Sequence, residues 1–507
     1  MSKKRKQEKV KAPHLRVVRP SNRGFRGVGE GYSGVISVPQ EWRGTTVQVC
    51  GLWPFAAGSG SPMVGVPLGR HLATQATVCC DPISWFQRAQ LLSNPSCFVL
   101  GKPGLGKSTV VRRMCTGLAG FGVMPMILGD LKPDYVDLIE ALEGQVVRLG
   151  RGLGHINPLD GSSARRAAEK LPEKLANEII SDSHSRRLQV ILALIQIIRQ
   201  APIADREESI LDRAILTLDR AFSDPDARQP VISDLLQVIR EAPDDVRQVA
   251  LDRGDLNRYK EITEALEVSL MALAGNGRLG EVFSKPTEVR MRLDKPVVFD
   301  LSAIPEAEAD LSAAALLATW SLGFGEINVA GALAEAGLAP QRHYFVVMDE
   351  LWRALRAGRG MVDRVDSLTR LNRTYGVGQA LITHTMSDLE SLETEEDRAK
   401  ARGFVERSGM VICGGLPSSE MPLLNRAIRI SEAERAMLTS WQDPPAWDQV
   451  KGREAAPPGR GKFLIKVGSR PGIPVDVVLT ESERNINDTN QKWKELSRVG
   501  VSEYGRG

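Results

Sequence analysis

The sequence predicts an α/β fold built on one large sheet, with an inserted all-α subdomain and a small β-rich segment in front. Three observations carry that prediction. Ser96-Cys-Phe-Val-Leu100 is an unbroken apolar run that passes through a glycine-rich loop directly into the helical stretch Ser108–Met114. Similar runs recur at Val123–Leu128, Val146–Leu149, Pro296–Asp300, Tyr344–Met348, Ala380–Thr383 and Met410–Cys413, joined by helical or polar segments, which is the alternation of a strand–helix fold. Between about 162 and 285 these runs give way to apolar residues at helical spacing, such as Leu188, Ile191, Leu192, Ile195 and Ile198, among many Arg, Asp and Glu.

In chain order, residues 1–30 carry ten Lys/Arg against Glu8 and Glu30, a local charge of +8, and read as a basic, disordered tail. The rest of the chain nets −4, so attraction to polyanions is concentrated in that tail. Contact with DNA, contact with an anionic membrane surface, and a merely solvated terminus all stay open. Residues 31–95 form the β-rich lead-in, punctuated by Gly51–Phe55 and Gly58–Pro62. Residues 96–161 are the first part of the core, 162–285 the helical insertion, and 286–480 the second part of the core. This second part closes with a hairpin of Gly461–Val467 and Val475–Leu479, and 481–507 follow as a C-terminal helix and tail.

Composition narrows the class. A chain 42% hydrophobic and 25% charged is an ordinary soluble globular one, and an aromatic share of 5% argues against a base-stacking nucleic-acid surface. The six cysteines lack metal-ligand spacing and suit reduced core thiols, so a cytoplasmic location is expected. No uninterrupted apolar stretch approaches the ~20 residues that span a bilayer. Membrane association is therefore expected to be peripheral, at the cytoplasmic face.

The chemistry begins at Gly101-Lys-Pro-Gly-Leu-Gly-Lys107-Ser108, a full G-x-x-x-x-G-K-[ST] match placed between a strand and a helix, as a P-loop requires. Gly101, Gly104, Leu105 and Gly106 supply a loop whose backbone N–H groups point at phosphate oxygens. Lys107 brings charge to the β- and γ-phosphates, Ser108 is a ligand for Mg²⁺, and Thr109 follows toward the α-phosphate. A second element, Tyr344-Phe-Val-Val-Met-Asp349-Glu350, ends a buried strand in paired acids. Asp349 is expected to hold Mg²⁺ through water and Glu350 to polarise the attacking water, which points to ATP hydrolysis on a RecA-like P-loop NTPase core.

Several further segments resemble the conjugative and type IV secretion ATPases of the FtsK/HerA-like superfamily, in particular their VirB-type, TraC-like members. Asp130-Leu-Lys-Pro-Asp-Tyr135 resembles a D-x-K-x-E-Y stretch with Asp134 in place of Glu. Gly144–Leu149, Ile156-Asn-Pro-Leu-Asp160 and Asp349-Glu-Leu-Trp352 match later motifs in the same order, and Gly51–Phe55 with Asp81-Pro82 resembles the lead-in. The resemblance implies a homo-oligomer, a hexamer, that works with conjugation or secretion machinery proteins. It also implies that Arg373, in Leu371–Gly376, reaches a neighbouring subunit's nucleotide, with Arg370 and Arg407 as competitors. His384 stands where the family has a γ-phosphate-sensing Gln, and a structural histidine is the alternative reading. Two rival functions remain: a DNA-translocating or coupling ATPase, and a scaffold that uses nucleotide without significant turnover.

Overall fold

The computed structural model describes residues 63–224, 228–275, 279–358, 360–369, 376–444, 447–448, 453–454 and 457–486. The chain divides into a leading unit, Met1–Gly58, and a main unit, Ser59–Gly507, to which all the described residues belong. The expected tail at 1–30, residues 31–62 of the lead-in, and 487–507 lie outside them.

Among the described residues thirteen strands are formed: β1 Pro67–His71, β2 Thr77–Cys79, β3 Ser96–Leu100, β4 Val123–Asp130, β5 Gln145–Arg148, β6 Val297–Asp300, β7 His343–Met348, β8 Val377–Ile382, β9 Met410–Cys413, β10 Trp447–Asp448, β11 Arg453–Glu454, β12 Lys462–Lys466 and β13 Ile473–Val477. Eleven make one sheet in the order β2-β1-β13-β12-β9-β3-β8-β7-β4-β6-β5, while β10 and β11 pair separately. From β9 to β5 the strands are parallel, and β12, β13, β1 and β2 extend that half in antiparallel fashion. The described part of the lead-in thus joins the main sheet. It also contributes the short helix Pro82–Gln87, whose N-cap Asp81 accepts from the Ser84 backbone N–H.

The parallel strands are apolar throughout because both faces are covered. In β3, Phe98 and Leu100 face one core while Cys97 and Val99 face the other, and in β7 Val346 and Met348 oppose Phe345 and Val347. The helix Lys107–Gly120 covers one face with Val110, Val111, Met114, Cys115 and Leu118. On the other face lie the long helix Ala309–Glu335 and the helical segment that includes Glu173–Arg199. Between Ser162 and Phe283 every regular element among the described residues is a helix.

Ala309–Glu335 is the one helix among the described residues long and apolar enough to cross a membrane, yet 78% of its most apolar window is buried inside the fold. Leu316, Trp320 and Phe324 sit in the core there. The reading by uninterrupted apolar runs passes over this helix because Ser312, Thr319, Ser321 and Glu326 break it up.

Strand order sets up the site. β8 lies between β3 and β7, with Val99 beside Ile382 and Leu381 beside Met348. The three strands therefore end together, and the loops after Leu100, Ile382 and Met348 open at one carboxyl edge, where α/β sheets bind ligands.

Candidate functional site

The glycine loop leaves β3 tethered to its neighbours: the Gly101 N–H donates to the His384 carbonyl at 3.0 Å and the Lys102 N–H to the Gly415 carbonyl at 3.1 Å. Gly104 and Gly106 then take φ of +80° and +99°, left-handed values that a side chain disfavours. That curl ends as the N-cap of Lys107–Gly120. Lys107 is buried, and its Nζ folds back to donate to the Gly101 carbonyl at 2.7 Å. Burial lowers its pKa, against the opposing pull of Asp349 and Glu350. Ser108 Oγ donates to Asp134 Oδ2 at 2.8 Å. Asp134 belongs to the segment after β4, which is folded around Asp130: the Asp130 carboxylate accepts from the Tyr135 backbone N–H at 2.8 Å and the Asp134 N–H at 3.2 Å.

At the end of β7, Asp349 accepts from the Tyr135 hydroxyl at 3.1 Å and from the next backbone N–H, of Glu350, at 2.8 Å. Burial, the neighbouring charge of Glu350 and that of Asp134 push its carboxyl up to about 6. Glu350 itself adopts a left-handed φ of +52°, a conformation that costs a non-glycine residue energy and that tends to persist at working sites. Its carboxylate accepts from Trp352 Nε1 at 2.5 Å and faces His384 Nε2 at 3.3 Å and Lys132 Nζ at 3.4 Å. Burial alone pushes the Glu350 carboxyl up, but the hydrogen bond and charge of His384, then Lys132 and Trp352, outweigh it and hold the carboxyl at about 2. In this arrangement Glu350 is ionised and engaged by three donors.

These elements share one cavity of about 230 Å³, lined by Gly104, Gly106 to Thr109, Asp130 to Lys132, Asp134, Asp349, Glu350, His384 and Arg460. Leu105 is buried, and its carbonyl accepts from the Gly461 N–H at 3.0 Å. Gly101 contributes the carbonyl that holds Lys107. Arg373 and its competitor Arg370 lie outside the described residues. The other competitor, Arg407, pairs with Asp366 at 2.7 Å and stands over the Phe404 ring, so it is committed elsewhere. Arg460, Asp134 as the partner of Ser108, and the Trp352 contact to Glu350 were not assigned site roles from the sequence. Asp134 and Trp352 lie in the resembling segments, whereas Arg460 carries no sequence signal of its own.

Among the described residues no group of three or more His, Cys, Asp or Glu could cage a metal ion. The oxygen donors Ser108 Oγ and Asp349 beside the P-loop fit Mg²⁺, which is typically held by one or two protein oxygens together with phosphates and water.

The Asp349 carboxyl gives a stability prediction. Its pKa lies above the unfolded value of about 3.9. Ionised Asp349 therefore destabilises the fold above pH 6, and the deficit fades as pH falls through about 6. Asp349→Asn keeps an acceptor for the Glu350 N–H and is expected to raise unfolding stability at pH 7.5 by about 1 kcal/mol. The gain should shrink at pH 5. Urea unfolding at both pH values measures it, and equal stability of the two proteins at pH 7.5 would refute the assignment.

Residues 68–319 match the family described as helicase HerA, central domain. No curated protein matches the sequence. VirB4 of Thermoanaerobacter pseudethanolicus has a similar structure, with a TM-score of 0.60 at 18% identity, covering 84% of this chain and 99% of that one. At that identity the likeness is one of fold. The bacterial conjugative coupling protein TrwB, truncated and in complex with sulphate, gives a TM-score of 0.47 at 13% identity over 76% of this chain and 86% of its own. TrwB in complex with ADP and Mg²⁺ gives 0.46 at 13% identity, again over 76% and 86%.

Proposed function

We propose that this chain, whose residues 68–319 match the family described as helicase HerA, central domain, binds and hydrolyses ATP as an oligomeric motor of a conjugation or type IV secretion apparatus. The observation that carries the reading is the shared cavity: P-loop, acid pair and His384 come from three neighbouring strand ends and face one space. The VirB4-like fold supports the secretion context.

In this reading the P-loop amides hold the phosphates, and Lys107 exchanges the Gly101 carbonyl for phosphate oxygen. Mg²⁺, when bound, neutralises charge on the phosphate oxygens. Ser108 and Asp349 are the residues that would hold it; the Ser108 hydroxyl would ligate through an oxygen lone pair and keep its proton for Asp134. Glu350 is a weak proton acceptor while His384 and Trp352 donate to it; turnover therefore requires the carboxylate to exchange one of these donors for the attacking water. His384, so released, is free to donate toward the γ-phosphate. Asp130 fixes the backbone that carries Asp134, and the Tyr135 hydroxyl holds the Asp349 carboxylate in place.

The reading also makes the working form a hexamer in which Arg373 completes the neighbouring subunit's site. An Arg373→Ala protein mixed with a Lys107→Ala protein is expected to recover part of the ATPase rate that each lacks, through interfaces that pair an intact finger with an intact P-loop. No recovery under conditions of subunit exchange removes Arg373 from the site. ATPase rate with and without DNA, across salt concentrations, together with solution mass with and without nucleotide, tests the function as a whole. DNA-stimulated, salt-sensitive turnover would point to a DNA motor. Nucleotide-dependent assembly without turnover would replace the motor with a scaffold.

A further inference from the structure

The antiparallel setting of β12 brings an additional cation to the site. Leu464 lies opposite Cys413 and Lys466 opposite Val411, so β12 begins at the edge where the parallel strands end. The turn before it, Pro457 to Gly461, lies over the P-loop. Its Gly461 N–H donates to the Leu105 carbonyl at 3.0 Å, and its Gly461 carbonyl accepts from the Val477 N–H at 2.9 Å. Gly459 is pressed on Trp441, where an added Cβ would meet the Trp441 carbonyl oxygen at 2.1 Å. The Arg460 N–H donates to the Pro457 carbonyl at 3.0 Å, so the backbone that carries this arginine is fixed.

The Arg460 side chain is exposed and lines the cavity, with no side-chain hydrogen bond or ion pair among the described residues. The other cations there are engaged: Lys107 by the Gly101 carbonyl, Lys132 and His384 by Glu350. Position along the loop indicates what Arg460 meets. His384 is tied to the Gly101 end, whereas a Cβ built on Gly106 would stand 3.6 Å from Thr109 Cβ and 3.7 Å from the Gly461 nitrogen. Arg460 therefore rises beside Gly106 and Thr109. In a P-loop the amides there cradle the α- and β-phosphates, while the lysine reaches the β- and γ-phosphates.

We propose that Arg460 is a nucleotide-positioning residue that grips the α-phosphate from the same subunit, an assignment that rests on the nucleotide-binding reading above. A guanidinium fork pairs with two phosphate oxygens where an ammonium offers a point charge. The α-phosphate is common to ATP and ADP, so this contact acts on both.

The test titrates a fluorescent N-methylanthraniloyl ADP and measures steady-state ATP hydrolysis with the full-length chain, as the unsubstituted protein and as Arg460→Ala, Arg460→Lys and Lys107→Ala. Arg460→Ala is expected to weaken ADP binding about 5–30-fold and to raise KM for ATP by a similar factor, with the loss falling on KM far more than on kcat. Arg460→Lys should fall between. Undiminished ADP binding by Arg460→Ala overturns the proposal, as does a fall in kcat with KM unchanged, which would mark a finger acting on the transition state. If Lys107→Ala also binds ADP as the unsubstituted protein does, the nucleotide site itself is refuted. If only Lys107→Ala loses binding, the site stands and Arg460 has no part in it.

Discussion

Glu350→Gln is expected to lower ATP turnover by about 10²–10⁴-fold while ATP affinity stays within about threefold of the unsubstituted protein. The amide keeps the size of the carboxylate and can still accept from Trp352 Nε1, so the strained turn at φ +52° is retained. What it loses is the ability to take a proton from water. Because the loss is confined to the chemical step, kcat and kcat/KM should fall together. Single-turnover hydrolysis and equilibrium ATP binding separate the two effects. Hydrolysis at an unaltered rate would show that another group activates water, and the pairing of Glu350 with His384 would then be structural.

Lys107→Ala is expected to act one step earlier, on binding. A charge-assisted hydrogen bond contributes about 1.5–3 kcal/mol, so losing the ammonium should weaken ATP about 10–150-fold. The true loss tends to the upper end because Lys107 is buried, where its charge is poorly screened and is already opposed by desolvation. The substitution also leaves the Gly101 carbonyl without its donor, so a thermal melt must accompany the titration. Binding that is unchanged in a folded variant would mean that the loop cradles no triphosphate.

How far the sequence reached differs between elements. Ser96–Leu100 and Met410–Cys413 coincide with β3 and β9 as expected, since a strand covered on both faces is apolar at every position. β8 starts at Val377, earlier than the expected Ala380, because Gly378 and Gln379 interrupt the apolar run although both are buried. The helix Ala309–Glu335 went unassigned for a related reason: its hydroxyls and small residues sit in a packed interior, and Thr319 Oγ1 satisfies itself on the Leu128 carbonyl of β4. The hairpin of β12 and β13 was placed from its turn and flanking apolar residues, but its position in the sheet, beside β9 and above the P-loop, is a long-range matter.

By itself the sequence determined the glycine loop between strand and helix and the acid pair, because a strand, a tight glycine turn and a helix start, or a strand ending in Asp349-Glu350, are short-range patterns whose geometry follows from a few consecutive residues. Only the tertiary structure decided that His384 meets Glu350, that Asp134 holds Ser108 and that Arg460 stands over the loop. Those meetings depend on the order in which strands far apart in the chain pair with one another. That order is set by how two large hydrophobic faces are buried at once, a property of the whole fold and not of any local window.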